Sequence, residues 1–161
     1  MEALAAKERL DNRDSAEHAD AMSLPPFHLA FPVDDLAAAR RFYGELLECP
    51  EGRSAEHWVD FDFFGHQIVA HLAPDQVARR STNAVDGEDV PVPHFGVVID
   101  KPSWERLAER LTAAGMEFVI APTVRFVGQP GEQATMFLFD PAGNALEFKA
   151  MAHPAKLFAK N

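Results

Sequence analysis

Pro93-His94-Phe95-Gly96-Val97-Val98-Ile99-Asp100 repeats the pattern of Phe27-His28-Leu29-Ala30-Phe31-Pro32-Val33-Asp34. Each has a histidine at its head and an aspartate six residues later, and the residues between are apolar, β-prone or small, as in a short buried strand. The segment after each strand repeats as well. Asp34-Asp35 offers an N-cap to a helix over 36–47 whose Leu36, Ala39, Phe42, Tyr43, Leu46 and Leu47 fall on one stripe. Pro102-Ser103 opens a second helix with the stripe Trp104, Leu107, Ala108, Leu111 and Ala114, stopped by Gly115. Strands are expected over 57–63 and 67–72 around a Gly65-His66 turn, with Gly52-Arg53-Ser54 as a loop. The second half continues with strands over 116–120, 133–139 and 145–151, the last two joined by a tight turn at Asp140-Pro141-Ala142-Gly143-Asn144. The stretch 122–132, between the strands over 116–120 and 133–139, is turn-rich and placed to lie across an opening.

The order reads as βαβββ twice, and each half is too small to bury both faces of its sheet, so the halves must pair. This predicts an α+β fold with two βαβββ modules, over 27–73 and 93–151, inside one domain over 25–152. They form a curved mixed sheet with the helices outside. Residues 74–92 are a polar linker with room for one helical turn. Residues 1–24 are polar, alanine-rich and poorly periodic, as in a flexible tail, with Met22 an alternative start, and 153–161 form a second tail.

The chain of 161 residues carries a formal net charge of -10, which argues against nucleic acid or an anionic membrane surface as partner. A single cysteine, Cys49, rules out an intrachain disulfide, and no signal-peptide core or bilayer-length apolar run is present. A cytoplasmic location and a small-molecule substrate are the expectations that remain.

On the last strand Glu147 and Lys149 share the face opposite Leu146 and Phe148. With Leu146 and Phe148 packed under a helix, Glu147 would join His28 and His94 on a concave inner face. A carboxylate and two imidazoles in such a cleft need a cation between them. Two histidines and one carboxylate with open positions suit non-haem Fe(II), and Mn(II), Zn(II) or Ni(II) also fit the donor set.

Phe27-His28-Leu29-Ala30-Phe31-Pro32-Val33-Asp34-Asp35 with 39–44 after it, His94-Phe95-Gly96-Val97, and the run from Phe139 to Phe148 together resemble the vicinal oxygen chelate superfamily. That group comprises glyoxalases, bleomycin-resistance proteins and extradiol dioxygenases. The closing Asp-Pro-x-Gly-Asn-x-Leu-Glu-Phe run is the most specific piece. The resemblance implies a metal held by His28, His94 and Glu147, an activity most like that of single-domain extradiol dioxygenases, and a homodimer.

The internal repeat adds a point of its own. Gly143 plus four is Glu147, whereas Gly65 plus four is Val69, so the first module supplies no fourth carboxylate if the hairpins align without a gap. Three ligands leave positions for substrate and O2, which favours the dioxygenase over a glyoxalase-type lyase or isomerase; a metal-free binding protein of the resistance type is a third reading. Gly65 plus six is His71, an acid or base beside the metal, or a fourth ligand if the register slips by one. Arg53, Arg125 and Lys149 are candidates to bind an anionic substrate, with Glu132 and Gln133 on the same rim. For the arginines, structural ion pairs are the plainer role, and for Lys149 charge compensation of Glu147. Asp60 and Asp62 read as a solvated strand face, and His18, His57, His66 and His153 suggest no function.

Overall fold

The computed structural model describes residues 24–77, 82–85 and 88–159, so nearly all of the expected N-terminal tail lies outside it. In the first module β1 (His28–Val33) runs into helix α1, which is α-helical over Leu36–Ala39 and π-helical over Arg40–Leu46. Then come β2 (Glu51–Ala55), β3 (Trp58–Phe63) and β4 (His66–Leu72). A 3-10 turn at Pro74–Gln76 and a hairpin of β5 (Thr82–Val85) and β6 (Glu88–Pro91) lead to the second module. There β7 (Phe95–Val98), α2 (Lys101–Ala113), β8 (Phe118–Arg125), β9 (Gln133–Phe139) and β10 (Ala145–Met151) repeat the order, followed by a 3-10 turn at Pro154–Lys156. Each helix begins at an aspartate: Asp35 accepts from the backbone N–H of Ala37 and Ala38, and Asp100 from that of Ser103.

Both sheets are mixed and share one topology, β1-β4-β3-β2 and β7-β10-β9-β8, with the first pair of each parallel. The expected α+β fold of two βαβββ modules is therefore what the chain adopts. The apolar faces go into one shared core that includes Phe31, Phe61, Phe63, Tyr43, Trp104, Leu111, Met136, Leu138 and Phe148. Phe63, two strands in from β1, meets Phe148 of β10 at 5.9 Å between ring centres. Rings so far from the β1 and β7 edges meet only if the helix-side faces are stacked against each other. Because strand residues alternate between faces, the opposite faces, with His28 on one sheet and Glu147 on the other, point away from this core.

Five expectations need correction. In place of one curved sheet with the helices outside and His28, His94 and Glu147 on one inner face, there are two sheets whose helix-side faces meet, so that within one chain His28 and Glu147 point away from each other. Residues 52–54 lie within strand β2 rather than in a loop; β2 is an edge strand with a bulge between Glu51 and Ser54, and its polar residues and glycine hid it. The linker holds the β5–β6 hairpin as well as a helical turn, consistent with the Asp86-Gly87 pair in the sequence between the two strands. β8 extends to Arg125, through the first four residues of the turn-rich stretch, because an edge strand with two register shifts accommodates Pro122. Asp60 is buried rather than solvated, only 5% exposed.

The modules are also tied by a buried polar network. The Tyr43 hydroxyl donates to Asp140 Oδ2 at 2.9 Å, and Asn144 Nδ2 reaches both Asp140 Oδ2 and the carbonyl of Pro32. Burial, with the Asp140 charge next, holds the Tyr43 phenol well above its usual pKa. Folding thus favours the neutral phenol: this stabilisation is complete below the unfolded pKa of about 10 and is lost as pH rises from there toward the folded value. Tyr43 is the only tyrosine in the chain, so tyrosinate absorbance reads it directly. The urea midpoint is expected to fall above about pH 10, and to fall less steeply in Tyr43→Phe. Parallel pH profiles for the two proteins would contradict this assignment.

Candidate metal centre

On the outer face of the second sheet, Glu147 lies opposite Gly96 of β7 and Phe137 of β9. Its Oε1 accepts from the Thr135 hydroxyl at 2.7 Å. Its Oε2 lies 3.2 Å from His94 Nε2 and 3.1 Å from Lys149 Nζ. The Glu147 side chain is 8% exposed and that of His94 30%, so the pair sits at the floor of a hollow of about 240 Å³ that opens to solvent. Burial pushes the Glu147 carboxyl up, but the hydrogen bonds of His94 and Thr135 and the Lys149 charge outweigh it and leave it below the ordinary value. The hydrogen bond to Glu147 raises His94, against a smaller effect of burial.

His94 Nδ1 is 2.7 Å from the carbonyl oxygen of Pro91. A carbonyl only accepts, so Nδ1 carries the hydrogen and Nε2 is the nitrogen turned to Glu147. A proton or a metal ion on Nε2 satisfies Glu147 equally. Two ligands at right angles on one cation, with bonds of about 2.1 Å, stand about 3 Å apart, close to the separation found here. The pair therefore fits one edge of a divalent metal site.

Gly96 makes this approach possible, because a Cβ there would run into the Glu147 carbonyl. Gly96→Ala is expected to lower the unfolding free energy by about 2–3 kcal/mol, as overpacking between paired strands does, measured by urea denaturation. An unchanged midpoint would mean that β7 and β10 can separate without loss.

The first sheet carries the other candidates. His28 lies opposite Gln67, Ala30 opposite Val69 and Pro32 opposite His71. On the second sheet Gly96 lies opposite Glu147 and Val98 opposite Lys149, so Val69 holds the place of Glu147 and His71 that of Lys149. The ungapped alignment of the two hairpins is thus the structural one. His28 Nδ1 is 2.8 Å from Gln67 Oε1, and Gln67 Nε2 donates to Asp60 Oδ2 at 2.9 Å. Arg53, largely exposed, places Nε 3.6 Å from Asp60 Oδ2 and its guanidinium over Trp58. His71 is exposed on the His28 face. Arg125 stands at the end of edge strand β8 with its guanidinium 5.1 Å from the centre of the Phe126 ring.

One chain thus brings together His94, Glu147 and Lys149, and leaves His28, His71 and Arg53 on another sheet. Among the described residues no three His, Cys, Asp or Glu side chains gather closely enough to hold a metal ion. Sequence reasoning missed Thr135, Gln67, Gly96 and the buried role of Asp60. Only Gly96 left a signal, as a glycine inside a strand pattern.

Two paired βαβββ modules, with a histidine just before β7 set against a glutamate on β10, define a fold of the glyoxalase type. The chain belongs to the Glyoxalase/Bleomycin resistance protein/Dioxygenase superfamily, whose family model matches residues 26–148. A solved glyoxalase/bleomycin resistance protein/dioxygenase from Alicyclobacillus acidocaldarius is 33% identical, covering 83% of this chain and 96% of its own, with a TM-score of 0.72. The fosfomycin resistance protein FosX from Listeria monocytogenes (20% identity, 84% and 98% coverage, TM-score 0.58) shares the fold. So does lactoylglutathione lyase from Agrobacterium tumefaciens (19%, 86% and 99%, 0.56). No curated protein matches the chain. Among the described residues no helix is long and apolar enough to cross a membrane.

Proposed function

We propose that this chain is a metal-dependent dioxygenase of the extradiol type whose site forms between two copies, His94 and Glu147 coming from one and His28 from the other. The observation that carries this is the position of Val69. The only residue of the first module placed like Glu147 cannot bind a metal, so the protein ligands number three and the remaining positions stay open. Fe(II) bound there would supply Lewis acidity and adjacent positions for the two oxygens of a catechol and for O2, with Mn(II), Zn(II) and Ni(II) as the other cations the donors suit.

The chain's own residues have definable tasks in this reading. Thr135 holds one oxygen of Glu147 so that the other faces His94. Lys149 compensates the carboxylate and presents an ammonium to an anionic substrate oxygen. His71, on the His28 face, takes the substrate proton. An apolar cavity of about 350 Å³ lined by Leu29, Phe31, Pro32, Val92 and Phe139 also has His94 in its wall, which gives an aromatic ring an apolar seat beside that one ligand. Arg53 and Arg125 remain candidates for the rim.

The test is oxygen uptake by Fe(II)-loaded protein across a panel of catechols. Uptake matched to ring-cleaved product supports the proposal. Turnover that persists under argon assigns the site to a lyase or isomerase, and ligand binding indifferent to metal assigns it to a binding protein.

A further inference from the structure

The outer face of the first sheet holds a buried carboxylate that no part of the proposed reaction uses. Asp60 is 5% exposed, and its Oδ1 is buried without a hydrogen-bond partner among the described residues. It sits tightly against Gly52, where any Cβ would collide with it. Leaving a carboxylate oxygen buried and unpartnered is costly, and the exposed Arg53 at 3.6 Å offsets little of that cost. Stability alone therefore gives no reason for an aspartate here.

Its one strong contact does. Asp60 Oδ2 accepts from Gln67 Nε2, and a carboxylate only accepts, so the NH2 end of the Gln67 amide must face Asp60 and its Oε1 must face His28. An amide oxygen in turn only accepts, so His28 Nδ1 carries the hydrogen. Among the described residues Nε2 of His28 has no partner. In the second module a backbone carbonyl, that of Pro91, imposes the same state on His94. Two unrelated devices at equivalent positions thus hold Nδ1 and turn Nε2 the other way, toward Glu147 in His94 and without a partner among the described residues in His28, which a histidine kept only for packing would not require.

From this geometry we infer that Asp60 and Gln67 are positioning residues for His28: Asp60 fixes the direction of the Gln67 amide, and Gln67 holds His28 as the Nδ1–H tautomer with Nε2 presented to the divalent cation. The inference rests on His28 being a ligand, as proposed above, but its first half is measurable without metal. Partners of this kind, one bond removed from the metal, change affinity by about 10–100-fold when lost.

The experiment combines long-range 1H–15N correlation of the histidine rings in the metal-free full-length protein, under alkaline conditions, with Co(II) titration followed by calorimetry. Wild type is expected to show His28 as Nδ1–H. Gln67→Met, similar in size and unable to accept the hydrogen, should release His28 to the Nε2–H form and weaken Co(II) binding by about 10–100-fold. Asp60→Asn should give mixed tautomers and a smaller loss. The pair Asp60→Asn with Gln67→Glu restores a donor facing an acceptor and should recover both readouts, which separates positioning from a general loss of structure.

An Nε2–H tautomer in wild type, or one unmoved by Gln67→Met, overturns the inference. So does a tautomer that changes while Co(II) affinity stays within about twofold of wild type, against the loss expected for such a partner. If wild type and His28→Ala bind Co(II) alike, the proposed metal site itself has failed, and the positioning role falls with it even though the tautomer stands as measured.

Discussion

Equal amounts of His28→Ala and Glu147→Ala chains, each without tight metal binding on its own, are expected to recover about a quarter of the wild-type capacity for Co(II) when refolded together. In a symmetric pair each site takes His28 from one chain and His94 with Glu147 from the other. Half of the randomly formed pairs contain one chain of each kind. Within such a pair one site carries both substitutions, whereas the other draws His28 from the Glu147→Ala chain and Glu147 from the His28→Ala chain and is intact. One good site in two, in half of the pairs, gives the expected fraction. A site built within one chain would recover nothing, since every chain in the mixture lacks a ligand. Each variant alone should lose at least about 100-fold in affinity, above the range for groups outside the ligand shell. The test rests directly on the face-to-face packing of the two modules, which turns His28 away from Glu147.

That packing marks the limit of what the sequence revealed. Alternation along 28–33 and 145–151, the Asp34-Asp35 cap and the helical stripes are local signals, and they were enough for both modules and for the face of β10 on which Glu147 lies. Which faces of two sheets meet depends on contacts such as Phe63 with Phe148, far apart in sequence, and no periodicity encodes it. Polar edge strands were missed for a related reason. β2 has every residue exposed, so no apolar pattern announces it, and only its pairing with β3 makes it a strand. Asp60 was misread because alternation assigns a face but not what else lies on it. The neighbouring strand contributes a glycine, Gly52, where a side chain would otherwise have displaced the carboxylate, and Gln67 arrives from β4.

The second large effect is expected in the most recognisable stretch of the chain, and it concerns stability rather than chemistry. Asp140→Ala should cost about 3–5 kcal/mol, because it strands three buried donors at once: the Tyr43 hydroxyl, the Asn144 side-chain amide and the Asn144 backbone N–H. Burial pushes the Asp140 carboxyl above its ordinary value despite these bonds, so its ionised form is held at a cost and depends on every one of them. Asp140→Asn keeps the shape but offers an NH2 where an acceptor is needed, and should recover only part of the loss. Tyr43→Phe removes a single partner and should cost about 1–2 kcal/mol, less than either change at Asp140. Urea unfolding of the three variants orders them. If Asp140→Ala were no worse than Tyr43→Phe, the network would not be a joint between the modules. Metal binding by the intact fraction should be unchanged in Tyr43→Phe, because Asp140 and Asn144 reach Pro32 and Tyr43 on the core side while Glu147 faces outward. Within one short run, then, the aspartate and asparagine fasten the second module to the first, and the glutamate three residues after the asparagine is set free for the site.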